Sequence, residues 1–465
     1  MPALSVAHRT ALTQLVAGCP DSALAGLITA VGVLPGEKAG ELAVMLTDER
    51  TDRLRRARAF GPILPLFRPR TDGVAALIFP RAVLGRLWAR VGGAEAALLP
   101  LLDGEGSEAT LLADRLCASA AAALRDDPAS VWPDAPTDRP GDATAPKCDP
   151  AELAACFDLA PLARRNLPLL PAWLERPDEG RLAELRLLIR DSDAVDPAGG
   201  RRMVDILFAH VADAERMLRV VTRTSKLADN DHLLSRSDMG VFVERLIASV
   251  NERVERVAAL RADHGERGVE RARGDLEWCA GVLAEMDRSL QMKPDSDWGR
   301  SARMARVRVS AQLSGLMQSA QAAVEAALPL HRQTITGRMK RLAPWLDAPT
   351  DGEPIETAAA LLALAGAVRP VTAVFGCEAD RSRMKADVTD YLSTYANEAL
   401  DSVNDGEAAD PDRALRLVGA AARLLTVVES LDTARAVRRR AAAFETQRMN
   451  GATTGTGAGA SPAVA

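Results

Sequence analysis

Three successive segments between Gly200 and Met292 constrain the fold of this chain more than any other feature. Each carries apolar residues at alternating steps of three and four, which places a single apolar stripe along one face of a helix. The stripes predict three long amphipathic helices, at residues 201–224, 238–263 and 266–292. The third stripe keeps a heptad repeat from Val269 to Leu290, and Pro294 is expected to end that helix.

Narrow stripes on consecutive helices have two explanations. Either neighbouring helices of one chain cover each other's stripes in a bundle, or the stripes pair two chains in a coiled coil. The short connection at His264 and Gly265 favours antiparallel neighbours within one chain. Further long helices are expected at residues 299–328, 380–403 and 412–448. We therefore favour the bundle within one chain.

The composition agrees with helices and disfavours sheets. Of the 465 residues 48% are apolar, but only 3% are aromatic, so the core is expected to consist of Ala, Leu and Val. Residues 331–342 are also expected to be helical, and residues 74–79 resemble one short strand. The predicted fold is all-α: an elongated antiparallel multi-helix bundle with a smaller, mainly helical N-terminal domain.

A proline-rich stretch predicts the domain boundary. Residues 128–150 contain six prolines among Asp, Ala and Thr, a composition typical of an extended linker. The predicted domains are a small helical domain at residues 1–127 and a long-helix bundle at residues 151–448. Residues 449–465 are rich in Gly, Ala and Thr and are expected to be a disordered tail.

Charge and cysteine usage indicate the cytoplasm. The net charge of −5 gives no overall attraction to nucleic acid or to an anionic membrane. The six cysteines are scattered without a C-x-x-C pair, which fits neither a disulfide framework nor a zinc site.

The apolar window at residues 357–377 is interrupted by Arg369 and Pro370, so it predicts a buried helical hairpin and no transmembrane segment. Cys19 follows a sequence like a lipoprotein cleavage site, but the preceding segment is short and polar.

Arginine clusters supply most of the candidate contact residues. Arg53 and Arg56 lie in a predicted helix where acidic residues are interleaved, which is typical of a solvated face as well as of a phosphate-binding patch. Arginine outnumbers lysine by 52 to six, as expected from a GC-rich genome, so such clusters indicate binding only weakly. Trp132 stands out within the proline-rich stretch as a side chain that could dock on a domain or a partner, although we favour local packing.

A second arginine cluster begins the helix after Trp298. Arg300, Arg303 and Arg306 lie where the helix macrodipole disfavours cations, unless an acidic group lies against them. The acidic loop at residues 405–412, or an acidic partner, could supply that group.

Residues with catalytic or metal-binding potential are few. His210 lies in a predicted helix, as the histidine of a phosphotransfer bundle does, but nearby Asp213 would oppose a phosphohistidine. Two acidic groups between helices fit helix capping better than a calcium loop. These groups are Asp191, Asp193 and Asp196, and Asp229, Asp231 and His232. The sequence contains none of the common hydrolase, phosphate-binding or dinucleotide-binding motifs, so we predict no catalytic residue, cofactor or metal.

These observations lead to three hypotheses for function. The first is a non-catalytic helical scaffold or adaptor that binds other proteins, including copies of itself, in the bacterial cytoplasm. The second is an enzyme with a site between helices that uses scattered Asp, Glu and Arg. The third is an arginine-dependent nucleic-acid-binding protein, for which the charge balance gives no strong support.

Overall fold

The computed structural model describes residues 5–135, 148–226, 231–259, 265–336, 339–348 and 352–455. These residues form twenty α-helices and one antiparallel pair of short strands, which confirms the predicted all-α class. The chain divides into two compact units. The first unit comprises Met1–Leu246 with Ser289–Gln291, and the second comprises Ile247–Arg288 with Met292–Ala465.

Twelve helices and the start of a thirteenth belong to the first unit. They are α1 (Val6–Gly18), α2 (Asp21–Gly32), α3 (Glu37–Phe60), α4 (Arg81–Ala94), α5 (Ser107–Asp126), α6 (Pro128–Val131), α7 (Pro150–Asn166), α8 (Leu170–Glu175), α9 (Glu179–Val195), α10 (Gly199–Ala209), α11 (Ala214–Ser225), α12 (Asp231–Ser235) and α13 (Gly240–Ala258). Short 3-10 turns lie at Leu64–Phe67, Leu99–Asp103 and Leu167–Leu169.

The second unit contains the longer helices and the strand pair. Its elements are α14 (Gly265–Ser289), α15 (Asp297–Ala327), β1 (Leu330–Thr336), β2 (Met339–Pro344), α16 (Glu353–Ala367), α17 (Arg369–Thr372), α18 (Glu378–Asn404), α19 (Pro411–Val427) and α20 (Leu431–Gly455), together with the end of α13. Two ion pairs show how α18 and α20 are oriented. Arg440 of α20 pairs with Asp401, near the end of α18. Glu429, just before α20, lies 3.8 Å from Lys385, in the first half of α18. Helices α18 and α20 are therefore parallel, with α19 running back between them.

The compact units divide the chain at a different place from the predicted domain boundary. Helices α5 and α7, which flank the proline-rich stretch, pack against each other, and one core cluster extends from Ala59 to Phe242. Because residues on both sides of the stretch share this core, residues 1–127 and 151–246 belong to one compact unit. Residues 136–147 of the predicted linker lie outside the described residues.

Aromatic residues are concentrated in this core of the first unit. Six of the eight phenylalanines are buried there, and the Phe60 ring meets Phe157 edge-on at 4.9 Å and Trp88 at 5.6 Å. Edge-to-face pairs at such distances add to the stability gained by burying the rings. The low overall aromatic content therefore conceals a region that relies on aromatic packing.

The stripes are confirmed from Val243 to Val254 of α13 and from Ala272 to Met286 of α14, while Met239 and Val257 are half-buried. Val243, Val250 and Val254 of α13 and Leu276 and Leu283 of α14 are all at most 1% exposed. The predicted helix at residues 201–224 is instead two helices, α10 and α11. It breaks because the Asp213 carboxylate accepts a hydrogen bond from the backbone N–H of Arg216 at 3.0 Å, which starts α11. A side chain at Gly199 would place its Cβ 1.9 Å from the carbonyl oxygen of Ser192, so α10 can begin this close to α9 only with glycine there.

Three other segments differ from, or qualify, the sequence predictions. The predicted helix at residues 331–342 is wrong, because β1 and β2 pair there, with His331 opposite Ala343. The strand predicted at residues 74–79 forms no ladder, although Phe79 donates its backbone N–H to Leu66 at 2.7 Å. Helix α20 extends to Gly455, so the first part of the predicted disordered tail is helical, and residues 456–465 lie outside the described residues.

The apolar window at residues 357–377 forms most of α16 and all of α17. The two helices meet at Val368 and Arg369, where the sequence interrupts the window. Among the helices described, none has both the length and the apolar character that a membrane crossing requires.

Candidate functional site

Arg53, a predicted partner contact, fastens together the first three helices. From α3 its guanidinium donates to the carbonyl oxygens of Val16 at 2.9 Å and Cys19 at 2.8 Å, at the end of α1. It also bonds the carboxylates of Asp21 at 2.6 Å and Glu49 at 2.7 Å. Since the last carbonyls of a helix lack partners within the helix, Arg53 satisfies the end of α1 and fixes the turn into α2. Its side chain is only 13% exposed.

Trp132 and Arg56 are the other candidates of the first unit. Trp132 is buried, with 4% of its surface exposed, and its ring meets Phe79 edge-on at 6.2 Å. It therefore docks on its own core. Arg56 lies on α3 and is half-buried. Arg53 contacts the end of α1 whereas Trp132 packs on Phe79, so the contacts of these two residues do not place them in one site.

The three arginines at the start of α15 are bonded to neighbouring groups of the second unit. Arg300 pairs with Asp297, and Arg306 pairs with Asp287 of α14 at 2.7 Å. Arg303 donates to the carbonyl oxygen of Pro294 at 2.5 Å. Asp297 and Asp287 are thus carboxylates that lie against this cluster and offset its unfavourable position on the helix.

The predicted capping role of the first acidic group agrees with its contacts. Asp193 accepts a hydrogen bond from the backbone N–H of Gly200 at 2.8 Å, and Asp196 accepts one from Ala198 at 3.0 Å. Asp229 lies outside the described residues, while Asp231 and His232 begin α12. In the described part of the chain, no three His, Cys, Asp or Glu residues are grouped as a metal site would require.

His210 lies at the end of α10, where its Nε2 is 2.8 Å from the carbonyl oxygen of Pro62. Burial lowers the pKa of His210, and the contact with Pro62 opposes that shift. A neutral imidazole with Nε2 protonated can donate to this carbonyl, so the ring joins α10 to the segment after α3.

Sequence reasoning missed an ionic cluster in the first unit. Asp205 of α10 and Arg245 of α13 form an ion pair at 2.5 Å, and both side chains are at most 6% exposed. The Arg245 guanidinium also lies 5.2 Å from the centre of the Phe242 ring. Beside them Arg70 is bonded to Asp72 and to the carbonyl oxygen of Phe208. The only signal in the sequence was that Asp205 and Arg245 adjoin stripe residues.

This cluster surrounds a very small cavity. Arg70, Asp205 and Arg245 line it together with Phe208 and Met217, and its volume is about 10 Å³. That volume admits about one water molecule, whereas sites for small molecules typically measure roughly 300–1,000 Å³. Burial raises the pKa of Asp205, and the charge of Arg245 opposes the shift. The raised pKa of Asp205 therefore follows from its burial, and the cavity has no room for a substrate.

A second ionic cluster lies between α13 and α14 in the second unit. Asp275 accepts hydrogen bonds from Arg253 at 2.7 Å and from both Nε and a terminal nitrogen of Arg256, at 3.1 and 3.0 Å. The Arg253 guanidinium lies 3.9 Å from the centre of the Trp278 ring, a distance at which cation–π attraction is strong. The Asp275 side chain is 7% exposed, whereas that of Arg256 is 42% exposed.

An open cleft of about 320 Å³ adjoins this second cluster. Arg256 and Asp275 form one side of it, and Arg267 and Arg271, four residues apart on α14, form another. Three arginines and one aspartate give these lining residues a net charge of +2.

The first unit also carries an apolar surface that points outward. Residues 22–36, which include nearly all of α2, contain no charged side chain. Leu24 and Val31 are buried against α1 and α3, but Leu27, Val33 and Leu34 are 40%, 81% and 58% exposed. A helix that is apolar on all sides is normally buried on all sides, so the exposure of Leu27 on α2, and of Val33 and Leu34 in the turn after it, is unusual.

We compared the chain with models of protein families, with curated proteins and with solved structures, and none of the three comparisons gave a match.

Proposed function

We propose that this protein is a non-catalytic helical scaffold or adaptor of the bacterial cytoplasm, and that it binds other proteins through the exposed apolar surface of residues 22–36, which comprises the outward side of α2 and the turn after it. The observation that carries the proposal is the exposure of Leu27, Val33 and Leu34 on a stretch of fifteen residues without charge. Exposed apolar surface is costly in water, and where it is contiguous it typically marks an interaction site.

The small core beneath this surface supports the same proposal. Only Val16, Leu24, Val31 and Leu46 are buried in the cluster formed by α1, α2 and α3. Arg53 nevertheless fixes the turn between α1 and α2 with four polar contacts, so α2 is presented in a defined orientation. A preformed apolar helix face suits a partner that offers its own apolar helix face, because little order must be gained on binding.

The contacts of five charged residues weigh against the two alternatives at the positions where those residues lie. An enzyme site at the buried pair of Asp205 and Arg245 would need room for a substrate, whereas the cavity that these residues line measures about 10 Å³. A nucleic-acid surface at the predicted arginine clusters would need those arginines free to meet phosphates, whereas Arg53, Arg300 and Arg306 are paired with carboxylates.

A matched pair of double variants tests the proposal. Leu27→Ser with Leu34→Ser, the α2 variant, makes the exposed surface of α2 and the turn after it polar. Leu169→Ser with Leu187→Ser, the control, changes two leucines of similar exposure, 43% and 56%, elsewhere in the first unit. In affinity capture from the native cell followed by quantitative mass spectrometry, a specific partner should be retained by the control. The purified partner should bind the α2 variant with an affinity at least about tenfold lower than its affinity for the wild type.

Light scattering on the same three proteins identifies self-association. If the partner is a second copy, the wild type and the control should show twice the mass of the α2 variant. Identical partners, affinities and masses for all three proteins would refute the proposed surface.

A further inference from the structure

The cleft beside Arg256 has the size and charge of a binding site that the proposed scaffold function does not use. Its volume of about 320 Å³ lies at the lower end of the range for small-molecule sites, roughly 300–1,000 Å³. Its lining combines Arg256, Arg267 and Arg271 with the apolar side chains of Val257 and Ala272. We propose that this cleft binds the phosphate group of a small phosphorylated molecule.

Arg267 and Arg271 are the residues available to a ligand. Both line the cleft and are exposed, and within the described residues neither is bonded to a carboxylate. This distinguishes them from Arg256 and Arg273, which have carboxylate partners. Like charges four residues apart on a helix destabilise it, and cations in its first turns oppose the macrodipole. A bound anion would remove both costs.

Asp275 does not prevent an anion from binding. Its two oxygens already accept hydrogen bonds from Arg253 and Arg256, so its charge is balanced within the protein. These bonds hold the Arg256 guanidinium at the cleft wall, and Glu252 accepts a further bond from it at 2.8 Å. Asp275 is therefore a positioning residue, and Arg267 and Arg271 would contact the ligand.

Charge balance selects phosphate over carboxylate. The lining residues sum to +2, and a phosphate monoester carries a charge of roughly −1.5 to −2 at neutral pH. A carboxylate would leave one arginine unneutralised. Two guanidinium groups on neighbouring turns also offer more donors than a single carboxylate can accept, whereas phosphate presents three strong acceptor oxygens.

The test is titration calorimetry of the full chain with inorganic phosphate, and with acetate at the same ionic strength. Phosphate should bind saturably at one site per chain, and acetate should bind at least about tenfold more weakly. Arg267→Gln with Arg271→Gln should lower the affinity for phosphate at least about tenfold, since each change removes charge-assisted hydrogen bonds. Adenosine monophosphate, used as a second probe, should depend on the same two arginines.

Arg273→Gln is the matched control, because Arg273 lies on the same helix but pairs with Glu270 at 3.0 Å and lies outside the cleft lining. It should bind phosphate as the wild type does. The proposal is overturned if phosphate does not bind the wild type, or if the control and the double variant lose affinity equally. It is also overturned if a single-stranded oligonucleotide binds through the two arginines while both small probes fail to bind. Circular dichroism of each variant verifies that the helices are intact.

Discussion

Each of the two units contains a buried aspartate paired with arginine, but the two pairs have different surroundings. In the first unit Asp205 meets Arg245 beside a cavity of about 10 Å³, and both side chains are at most 6% exposed. In the second unit Asp275 meets Arg253 and Arg256 beside an open cleft of about 320 Å³, and Arg256 is 42% exposed. The pairs are chemically alike, so the access of water is what separates them.

This difference indicates what each cluster can contribute. A charge pair removed from water pays a large desolvation cost and has no further ligand to meet, so its effect is on which packing the helices adopt. A pair at the wall of a cleft keeps part of its hydration and can hold a neighbouring side chain in place for a ligand. The first cluster is therefore assigned to the fold, and the second to the proposed phosphate site.

The largest expected effect is that of Asp205→Ala. It leaves Arg245 buried without its counter-charge and should lower the free energy of unfolding of the first unit by about 3–5 kcal/mol. Hydrogen exchange of α10 peptides measures the loss within that unit. The control is Glu179→Ala, which removes an ion pair whose glutamate is 81% exposed and should cost at most about 1 kcal/mol.

A second variant separates charge from packing. Combining Asp205→Leu with Arg245→Met replaces the pair by apolar side chains and should recover most of the stability, because no buried charge remains. If the double variant is as unstable as Asp205→Ala, the pair is needed for more than neutralising its own charges.

Asp275→Ala in the second unit should have a smaller effect, about 1–3 kcal/mol. Arg256 can regain water through the cleft, and Arg253 keeps its contact with the Trp278 ring at 3.9 Å. Hydrogen exchange of α14 peptides gives the comparison. A loss as large as that of Asp205→Ala would show that the open cleft does not moderate the cost, and the distinction between the two clusters would fail.

The sequence predicted the helical class and the stripes of α13 and α14, because a repeat of three and four residues determines which face of a helix is buried. The prediction of a helix at residues 331–342 was wrong, because a strand pair rich in charged residues lies there. There the β-branched residues Thr334, Ile335 and Thr336 favour extended backbone, a local signal that the prediction of a helix did not use. The break before α11 was likewise encoded in one capping residue, Asp213, rather than in the stripe.

The ionic clusters could not be found in the same way. Asp205 and Arg245 are forty residues apart, and Arg253 and Asp275 are twenty-two apart, so their pairing depends on how separate helices pack. The α2 face could have been found, because residues 22–36 lack any charge, which is visible in the sequence. What the sequence could not give was which apolar side chains of that stretch remain exposed.

The pH dependence of stability should reveal the burial of Asp205. Because burial raises its pKa above the unfolded value of about 3.9, the folded state binds the proton more tightly than the unfolded chain does. This contribution to stability is fully present below the unfolded pKa and is lost as pH rises through the folded pKa. Relative to Asp205→Asn, the wild type should therefore lose unfolding free energy as pH rises from about 4. Urea unfolding of both proteins across this range measures the difference, and a relative gain would contradict it.

The smallest expected effect is a difference in the rate at which maleimide labels two thiols, one near each cluster. Burial raises the pKa of Cys156, near Asp205, and raises that of Cys279, near Arg253 and Asp275, to about 12. Both are at most 1% exposed, so a maleimide can reach either thiol only when the surrounding helices open. Because the cleft lies against α13 and α14, less packing must separate to expose Cys279, and it should be labelled faster than Cys156.

Peptide mapping after timed labelling at pH 8 compares the two labelling rates, with equal labelling in concentrated urea as the control. Phosphate at saturating concentration should slow Cys279 alone; equal rates for both thiols, unchanged by phosphate, would mean that the two clusters are equally closed.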